Sequence, residues 1–478
     1  MSVVTRPAFM PLSRLVPPAR TVGPAGVMVL AGVFGVVWLV WRPAGVGWGS
    51  FLGQLAGAEA VLLMAVAIML ISVLPAVETW FDGIDKAAIW HRRLSITGLL
   101  LLIPHLLFAQ GDRPSGPVGQ TGPPPDGHGS GMGGLLAQIG IWGLAALALW
   151  AIMPRWRFLL SWLPPDVLRR VDRLGTTAVA RRTAAIGRLV LGGYERWRSL
   201  HRLTGLLLAA GFVHGLLDAT TFGSPVLRWS YLAVGGTGLV FYVYRETAAR
   251  FFLPLHDYQV TTVTPVAQGL TEVTLTPVGR PLHFVPGQFA MLFLEGRHGW
   301  RRHPFTISGA PSDGELRFSI KALGDDTHAI QESVAPGMPA VIGGPHGRFA
   351  HTRGTARQLW IAGGIGVTPF LSWLRSHDTH HLNARIDFFY TTAGPAPFAD
   401  EIAALAAGVP HLRLHLHDST TSGYLSVDAA LTAIADDDPR QVSVFLCGPA
   451  PMVNAFIQSL RAAGIARRNL HREHFDWR

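Results

Sequence analysis

Six apolar stretches in the first half of the chain constrain its fold most. Each approaches the roughly 20 residues that an α-helix needs to cross the hydrocarbon core of a bilayer. After Arg250 the pattern changes to short alternating strands separated by Gly/Pro turns, which is typical of a soluble region. We therefore predict a six-helix transmembrane bundle in residues 1–250, with spans near 22–41, 55–77, 87–109, 135–153, 200–217 and 227–244.

The distribution of charge orients these spans. Charged residues make up 15% of the 478 residues, and the link 154–198 holds ten arginines against three acidic residues. Basic links face the cytoplasm, so we expect an integral protein of the inner cell membrane whose soluble half is cytoplasmic. The net charge is +10. Because the arginines cluster in this link, we expect membrane lipid and not nucleic acid as the partner. The single cysteine, Cys447, excludes an intrachain disulfide.

Two of the predicted spans carry paired histidines, and ionisable side chains at membrane depth are functional by default. His91 and His105 are 14 residues apart in the third span, and His201 and His214 are 13 apart in the fifth. If both helices run from inside to outside, His91 and His201 lie at an inner level and His105 and His214 at an outer level, about 20 Å apart. Neutral imidazole is an axial ligand of haem iron, so the pattern predicts two stacked b-type haems. The alternative is buried histidines bonded to neighbouring carbonyl groups.

Strands dominate residues 251–352 and predict a small antiparallel β-barrel. The segment RHPFTIS places the hydroxyls of Thr306 and Ser308 beside Phe305, which suits a flat ring with a phosphate tail. IKALGDDT adds a cation, a glycine and a hydroxyl, and GGPHGRF forms a tight turn. Each motif alone also fits an ordinary strand and turn, but their order and spacing favour a flavin site. The residues expected from the last two motifs are Lys321, Gly324, Thr327 and Gly344.

Residues 353–478 alternate strand, loop and helix, and predict a doubly wound α/β domain. In RQLWIAGGIGVTPFLSWLR an apolar strand leads into a glycine-rich loop, with Thr368 as the expected N-cap and Pro369 at the first helical position. A glycine-lined helix N-terminus binds pyrophosphate well. The residues expected to contact the dinucleotide are Gly363, Gly364, Gly366, Thr368 and Pro369.

These features resemble the ferric reductase and NADPH oxidase superfamily, transmembrane flavocytochromes b joined to a ferredoxin–NADP reductase-like dehydrogenase. The resemblance covers nearly the whole chain from the second span onward. Its most specific elements are the histidine spacings of 14 and 13 and the segments HPFTIS, GGIGVTP, CGPAPM and EHFDWR. It implies FAD, two b-type haems, and NADH or NADPH as cofactors.

The resemblance implies roles for individual haem and flavin ligands. The inner haem would be bound by His91 and His201, and the outer haem by His105 and His214. Phe305 would lie against the flavin ring and Thr306 near its reactive nitrogen. The flavin would be lined by His303, Pro304, Phe305 and Thr306, with Lys321 and Thr327 at the diphosphate. The motif itself adds Ser308 to the residues expected at this site.

It also implies the nucleotide site. The dinucleotide phosphates would contact the segment from Gly363 to Thr368. The nicotinamide would lie beside Cys447, Gly448 and Pro449. The flavin face would be shielded by Phe475, or by Trp477, until the nicotinamide displaces that side chain.

The implied activity is that of an NAD(P)H oxidase or ferric-chelate reductase. Electrons would pass from cytoplasmic NAD(P)H through FAD and the haems to an external acceptor, and flavin is required because hydride carries two electrons whereas haem accepts one. NADPH-selective relatives carry basic residues where this chain has TTAGPAP and DSTTSG, so NADH fits as well as NADPH. Eukaryotic oxidases place arginine and histidine above the outer haem, whereas this chain offers Gln54, Glu59 and Ala109. Oxygen and ferric chelates therefore both stay open as acceptors.

Two other functions remain open at this point. In the first, the membrane half is a transporter-like or partner-binding module, and the chain is a membrane-anchored diaphorase without haem. In the second, the haems are kept but deliver electrons to a quinone or a periplasmic protein partner.

Overall fold

The computed structural model describes most of the chain as two compact units. The first unit comprises Met1–Phe81 and Ala87–Arg250, and the second comprises Asp82–Lys86 and Phe251–Arg478. The residues whose structure is described are 22–72, 74–109, 131–152, 194–249, 254–296, 299–311, 314–378 and 382–473.

The first half of the chain is helical, as its apolar stretches predict. Five helical segments of the described chain are long and apolar enough to cross a membrane: Val22–Val40, Trp48–Leu70, Met132–Ala151, Arg196–Asp218 and Pro225–Ala248. The helices are α1 (Val22–Val40), α2 (Trp48–Leu70), α3 (Pro75–Trp80), α4 (Ile84–Phe108), α5 (Met132–Ile152), α6 (Tyr194–His201), α7 (Thr204–Asp218) and α8 (Pro225–Val243).

The predicted third span, 87–109, forms the 25-residue helix α4, but it is not among these five segments. Arg92, Arg93 and the two histidines lower its apolarity below that of the others. The described helices therefore support five membrane spans, and the sixth remains a proposal.

The predicted second span, 55–77, is wrong by about seven residues, because α2 runs from Trp48 to Leu70. The helix ends where the Ser72 hydroxyl donates to the carbonyl of Met69 at 2.6 Å. The backbone N–H of Ile71 also turns back, to the carbonyl of Ile68. Such short-range bonds close the last turn of a helix.

The predicted span 200–217 is interrupted, because α6 ends at His201 and α7 begins at Thr204. The Thr204 hydroxyl donates to the carbonyl of His201 at 2.7 Å, and the N–H of Leu203 bonds to Leu200. Local side-chain bonds of this kind compete with the helical ladder. His201 therefore lies at a helix end and His214 inside the following helix.

Glycines on α2 and α8 allow close packing within the helical unit. A Cβ at Gly53 would lie 2.4 Å from the backbone nitrogen of Ala109, and one at Gly238 would lie 2.5 Å from the Cβ of Ala65. Small residues at helix contacts are typical of membrane bundles, where close backbone approach replaces the hydrophobic driving force.

The second unit begins with a six-stranded antiparallel sheet of order β4-β3-β6-β1-β2-β5. The sheet curls into a half-barrel, with an isolated bridge between Ile307 and Phe318 next to its two edge strands. Its strands are β1 (Leu255–Ala267), β2 (Leu270–Pro277), β3 (Phe289–Gly296), β4 (Gly299–Thr306), β5 (Leu316–Lys321) and β6 (Pro339–His346), and helix α9 (Asp325–Ser333) precedes β6.

A five-stranded parallel sheet of order β11-β10-β7-β8-β9 follows. Its helices are α10 (Thr368–Arg375), α11 (Ala399–Ala407), α12 (Val427–Thr432) and α13 (Ala450–Ala462). Its strands are β7 (Arg357–Gly363), β8 (Arg385–Thr392), β9 (Leu412–Asp418), β10 (Val442–Cys447) and β11 (Leu470–Arg472). Strands β7 and β10 are buried throughout, as expected of the centre of a parallel sheet.

Candidate functional site

Strand β4 carries the predicted flavin-lining residues His303, Pro304, Phe305 and Thr306, all paired with β3. The ring of Phe305 packs against the core of the half-barrel. Thr306 is 4% exposed, and its Oγ1 has no hydrogen-bond partner in the described part of the chain. A buried hydroxyl without a partner costs about 1–3 kcal/mol. Thr306 thus presents a donor and acceptor that a bound molecule could satisfy.

Ser308 differs from Thr306, because its polar atoms are used within the sheet. Its N–H donates to the carbonyl of Arg317 at 2.8 Å, and its hydroxyl bonds to the hydroxyl of Ser319 at 3.0 Å. A direct flavin contact by the Ser308 hydroxyl stays a prediction. The contacts that the structure gives this side chain stabilise the sheet.

The other residues predicted for the flavin phosphates lie near the ends of β5 and β6. Lys321 is exposed at the end of β5, and Gly324 precedes α9. The hydroxyl of Thr327 accepts hydrogen bonds from the N–H groups of Leu323 and Gly324, at 2.9 and 3.0 Å. Thr327 therefore organises the start of α9. Gly344 has a φ of +133°, a conformation that favours glycine.

The loops at the carboxyl ends of β7 and β10, which are predicted to bind the nucleotide, touch each other. A Cβ at Gly366 would lie 2.3 Å from the carbonyl oxygen of Cys447, and one at Gly448 would lie 3.0 Å from the Cα of Gly363. Gly364 has a φ of +54° and faces open space. Crevices at the carboxyl ends of parallel strands are where such sheets bind ligands.

The helix after this loop begins differently from the prediction. Thr368 was expected as the N-cap, but it has helical backbone angles and is the first residue of α10, so Pro369 is the second. A short 3₁₀ turn, Gly364–Val367, precedes it, and the Thr368 hydroxyl donates to the carbonyl of Ile365 at 3.1 Å. The hydroxyl therefore satisfies the turn and does not cap α10.

Cys447 ends β10, next to Gly448 and Pro449, and is fully buried. Its Sγ lies 3.8 Å from Oε2 of Glu473, which is 8% exposed. Burial raises the pKa of the Cys447 thiol and also the pKa of the Glu473 carboxyl well above their usual values. Burial therefore disfavours the charged form of both groups, which argues against a thiolate nucleophile at Cys447.

Helix α10 is fastened to the half-barrel of the same unit, which carries the predicted flavin site, by three side chains. The Ser372 hydroxyl donates to the carbonyl of Gly309 at 2.8 Å, and the Trp373 indole donates to the carbonyl of Pro286 at 3.0 Å. Arg375 bonds to Glu272 at 2.8 Å, to Glu401 at 2.7 Å and to the carbonyl of Ser308 at 3.1 Å. These bonds tie the helix that follows the glycine loop to the strand end that follows the HPFT segment.

The far edge of the parallel sheet carries an acidic residue. Asp418 ends β9 and accepts hydrogen bonds from the N–H groups of Thr420 and Gly394, at 2.8 and 2.9 Å. Hydrogen bonds from Thr420 and Gly394 lower the pKa of the Asp418 carboxyl. No Lys or Arg occurs in 391–398 or 418–424, so the charge at these two strand ends is negative.

The four predicted haem ligands form two pairs in the helical unit. The ring centroids of His91 and His201 are 6.2 Å apart with an interplanar angle of 86°. Those of His105 and His214 are also 6.2 Å apart, at 73°. The pairing expected from the sequence is the pairing that the helices produce.

Hydrogen bonds set the tautomer of three of these rings. Nδ1 lies 2.8 Å from the carbonyl of Ala67 in His91 and 3.0 Å from the carbonyl of Gly53 in His105. In His214, Nδ1 lies 3.1 Å from the carbonyl of Gly133. A carbonyl oxygen only accepts, so each Nδ1 carries a proton, and in the neutral ring this leaves the lone pair on Nε2.

The packing around the pairs is equally close. A Cβ at Gly57 would lie 2.6 Å from Nδ1 of His105, so only glycine leaves room for this ring. The ring of His201 stacks on Trp197 at 4.7 Å. Within the described ranges, no cluster of three or more His, Cys, Asp or Glu side chains could hold a metal ion. The histidines meet two at a time.

Two residues that contact predicted site residues were missed, and two predicted residues lie outside the described chain. Glu473 was not predicted, although it belongs to the quoted segment EHFDWR. Asp218, whose Oδ2 is 3.0 Å from Nδ1 of His214, was also missed. It lies four residues after a predicted ligand, a spacing that brings side chains together on a helix. Phe475 and Trp477 lie outside the described residues.

Comparison with known proteins identifies an FAD-binding region in the second half of the chain. The family described as FAD-binding domain matches residues 255–367. The ferredoxin–NAD+ reductase component of an alkene monooxygenase system from Xanthobacter autotrophicus is 31% identical over 207 residues, covering 42% of this chain and 63% of that protein. An NADPH oxidoreductase from Mycobacterium tuberculosis is 31% identical over 215 residues, covering 41% of this chain and 53% of that protein.

The chain thus spans between about half and two thirds of these relatives' length. A solved flavohemoglobin from Malassezia yamatoensis aligns over 96% of this chain and 99% of its own, with 14% identity and a TM-score of 0.46, which is too low to argue from. The family and the reductase relatives confirm an FAD-binding, ferredoxin-reductase-like module, an oxidoreductase part that uses FAD and NAD(P)H.

Proposed function

We propose that this chain is a transmembrane oxidoreductase that takes electrons from cytoplasmic NAD(P)H and delivers them, through FAD and two b-type haems, to an acceptor outside an inner cell membrane. The observation that carries the proposal is the joining, in one chain, of an FAD-binding reductase module and two histidine pairs in apolar helices. We place six spans in the membrane, α4 included, with the soluble half in the cytoplasm.

The histidine pairs fit haem in both distance and tautomer. A metal–imidazole bond of about 2 Å and a ring radius of about 1 Å on each side place two axial rings about 6 Å apart, centroid to centroid. Both pairs have this separation, 6.2 Å. A ligand histidine also donates its second ring N–H to a carbonyl or carboxylate, as His91, His105 and His214 do.

Thr306 and Phe305 suit a bound flavin. The Oγ1 of Thr306 lacks a partner among the described residues, and a flavin ring nitrogen would supply one. When bound, FAD would accept the two electrons of a hydride and the haems would carry single electrons. His303 and Pro304 would line the ring, and Lys321 with the start of α9 would hold the diphosphate.

The nucleotide site would use the loops at the carboxyl ends of β7 and β10. Backbone N–H groups near Gly363, Gly364 and Gly366 would hold the dinucleotide phosphates. Cys447, which is neutral and fully buried, would shape the wall beside the nicotinamide and Phe475 would cover the flavin. We propose NADH as the better donor, because the Asp418 carboxylate would repel a 2′-phosphate.

The acceptor is proposed as oxygen, reduced to superoxide, or a ferric chelate. Assays on membranes distinguish these two acceptors. A superoxide signal is abolished by superoxide dismutase, whereas Fe(III) reduction continues under anaerobic conditions. A quinone or a periplasmic protein is the remaining candidate acceptor, and purified protein that reduces a soluble quinone faster than either would favour it.

The variant His105→Leu tests the proposal. It should remove one of two haems from the absorption spectrum and leave NADH-to-flavin reduction within about twofold of the wild type, since the two halves use different cofactors. Leu106→Ala, at an exposed neighbour on α4, is the control and should keep both haems. Unchanged haem content in His105→Leu would contradict the proposal.

A membrane-anchored diaphorase without haem is the second candidate function. The observation that favours it is that edge-to-face aromatic pairs also have centroids about 4.5–7 Å apart, so the rings could simply contact one another. This candidate predicts a flavoprotein without reduced haem bands.

A further inference from the structure

The four histidines of the two pairs differ in their neighbours, and among the described residues only one of them has a carboxylate beside Nδ1. His91 and His105 bond to the carbonyls of Ala67 and Gly53, and His201 stacks on Trp197. Nδ1 of His214 lies 3.0 Å from a carboxylate oxygen, Oδ2 of Asp218, as well as 3.1 Å from the carbonyl of Gly133.

The fold makes a specific place for this carboxylate. Asp218 lies four residues after His214, so both side chains share one side of α7. A Cβ at Gly133, the second residue of α5, would lie 2.3 Å from Oδ2 and 2.4 Å from Oδ1 of Asp218. With alanine at this position the Asp218 carboxylate would have to move from its place beside the imidazole.

We propose that Asp218 is a positioning residue that lowers the reduction potential of the outer haem by acting through His214. The inference rests on the proposed function, because it needs a haem between His105 and His214. It concerns the strength of the outer electron donor, which the proposed function leaves open.

The physical cause is the hydrogen bond from Nδ1 to an anion. A carboxylate acceptor draws the Nδ1 proton toward itself and leaves more negative charge on the ring than a neutral carbonyl does, which raises the basicity of Nε2. A more basic axial ligand stabilises ferric over ferrous iron, so the potential falls. Asp218 would thereby make an outer haem the stronger one-electron donor, which would suit an acceptor that is hard to reduce.

The test is a redox titration of the full-length protein in detergent, followed by the haem bands, on Asp218→Asn. Asparagine keeps the shape and a carbonyl acceptor but removes the charge. The outer-haem midpoint should move to a higher potential while the inner-haem midpoint stays in place. The variant His105→Leu, which is expected to lose the outer haem, would assign the two transitions.

A second variant changes Gly133, which packs against the Asp218 carboxylate. Gly133→Ala should displace the Asp218 carboxylate and raise the same midpoint, whereas the control Gly131→Ala, where a Cβ meets nothing within 4 Å, should leave it unchanged. Asp218→Glu should restore part of the lowering, because it keeps the charge.

The failures are distinguishable. Absence of haem from the wild type would sink the proposed function itself. Two haems whose midpoints are the same in wild type, Asp218→Asn and Gly133→Ala would overturn the inference alone. Equal shifts of both haems, or loss of the outer haem from both variants, would also overturn it, because they indicate a general field or a purely structural role.

Discussion

Thr306 carries a buried hydroxyl that the described chain leaves without a partner. Thr306→Val keeps the shape and removes the hydroxyl, so the flavin-free protein should gain about 1 kcal/mol of stability. The variant should bind FAD about fivefold more weakly, because one hydrogen bond of about 1 kcal/mol is lost. Thermal unfolding with and without FAD measures both effects.

Ser308→Ala is the matched control for this prediction, because the Ser308 hydroxyl is already bonded within the sheet. This variant should lose about 1 kcal/mol without flavin. If Thr306→Val lost stability in the same way, its hydroxyl would have a structural partner and the flavin assignment would be weakened.

We expect the free energy of unfolding to depend on pH because of the buried Glu473 carboxyl. Its folded-state pKa is raised above the usual 4.5 by burial, so in the folded state the carboxyl stays protonated when the unfolded chain has released its proton. The free energy of unfolding should therefore fall as the pH rises above about 4.5, by about 1.4 kcal/mol per pH unit, until the raised pKa is reached. Glu473→Gln should remove this loss.

Thermal unfolding of the detergent-solubilised protein between pH 4 and 8 measures this effect through flavin fluorescence. The variant and the wild type should coincide near pH 4 and diverge toward pH 8, with the variant more stable. Glu295→Gln, at an exposed position, should follow the wild type throughout. A gap between Glu473→Gln and the wild type that does not change with pH would refute the assignment.

At the scale of residues, local signals were predictable and distant partners were not. Thr306 stood out because a hydroxyl beside Phe305 in a strand suits a flat ring. Glu473 was missed because only the pairing of β11 with β10 brings it to Cys447, and sequence spacing does not show that pairing. Thr368 was misassigned because a 3₁₀ turn takes up its hydroxyl.

Helix α10 owes its position to Arg375, which is 7% exposed in its side chain and lies between Glu272 and Glu401. Arg375→Ala would leave both carboxylates without their buried partner. We expect a loss of about 3 kcal/mol, together with slower NADH-to-flavin reduction, because the glycine loop before α10 would no longer be held against the flavin half. Thermal unfolding and stopped-flow flavin reduction measure the two effects.

Arg385→Ala is the control for this element. Arg385 bonds to Asp437 with a side chain that is 59% exposed, and solvent-exposed pairs contribute less than about 1 kcal/mol. Equal losses from the two substitutions would show that burial of Arg375 does not fasten α10.

The types of secondary-structure elements were more predictable than their ends. The parallel sheet and the antiparallel half-barrel follow from alternating and continuous apolar runs, and both are present. The bounds of α2 were wrong because Ser72 ends the helix through a local hydrogen bond. The break between α6 and α7 depends in the same way on Thr204.

At the scale of the whole molecule, composition predicted a membrane half and a soluble half. Five described helices could cross a membrane, and α4 falls short because it carries arginines together with the histidines that we assign to haem. The polar side chains of α4 lower its mean hydropathy, so composition alone does not define this helix as a span. The family model matches residues 255–367, so the proposed role of the helices depends on the histidine pairs.

The most direct test of the account is an absorption spectrum of the purified protein, oxidised and then reduced anaerobically with NADH as the sole donor. We predict the bleaching of bound flavin together with the sharp bands of two reduced b-type haems per chain. Flavin bleaching without haem bands would contradict the central claim and leave a membrane-anchored diaphorase.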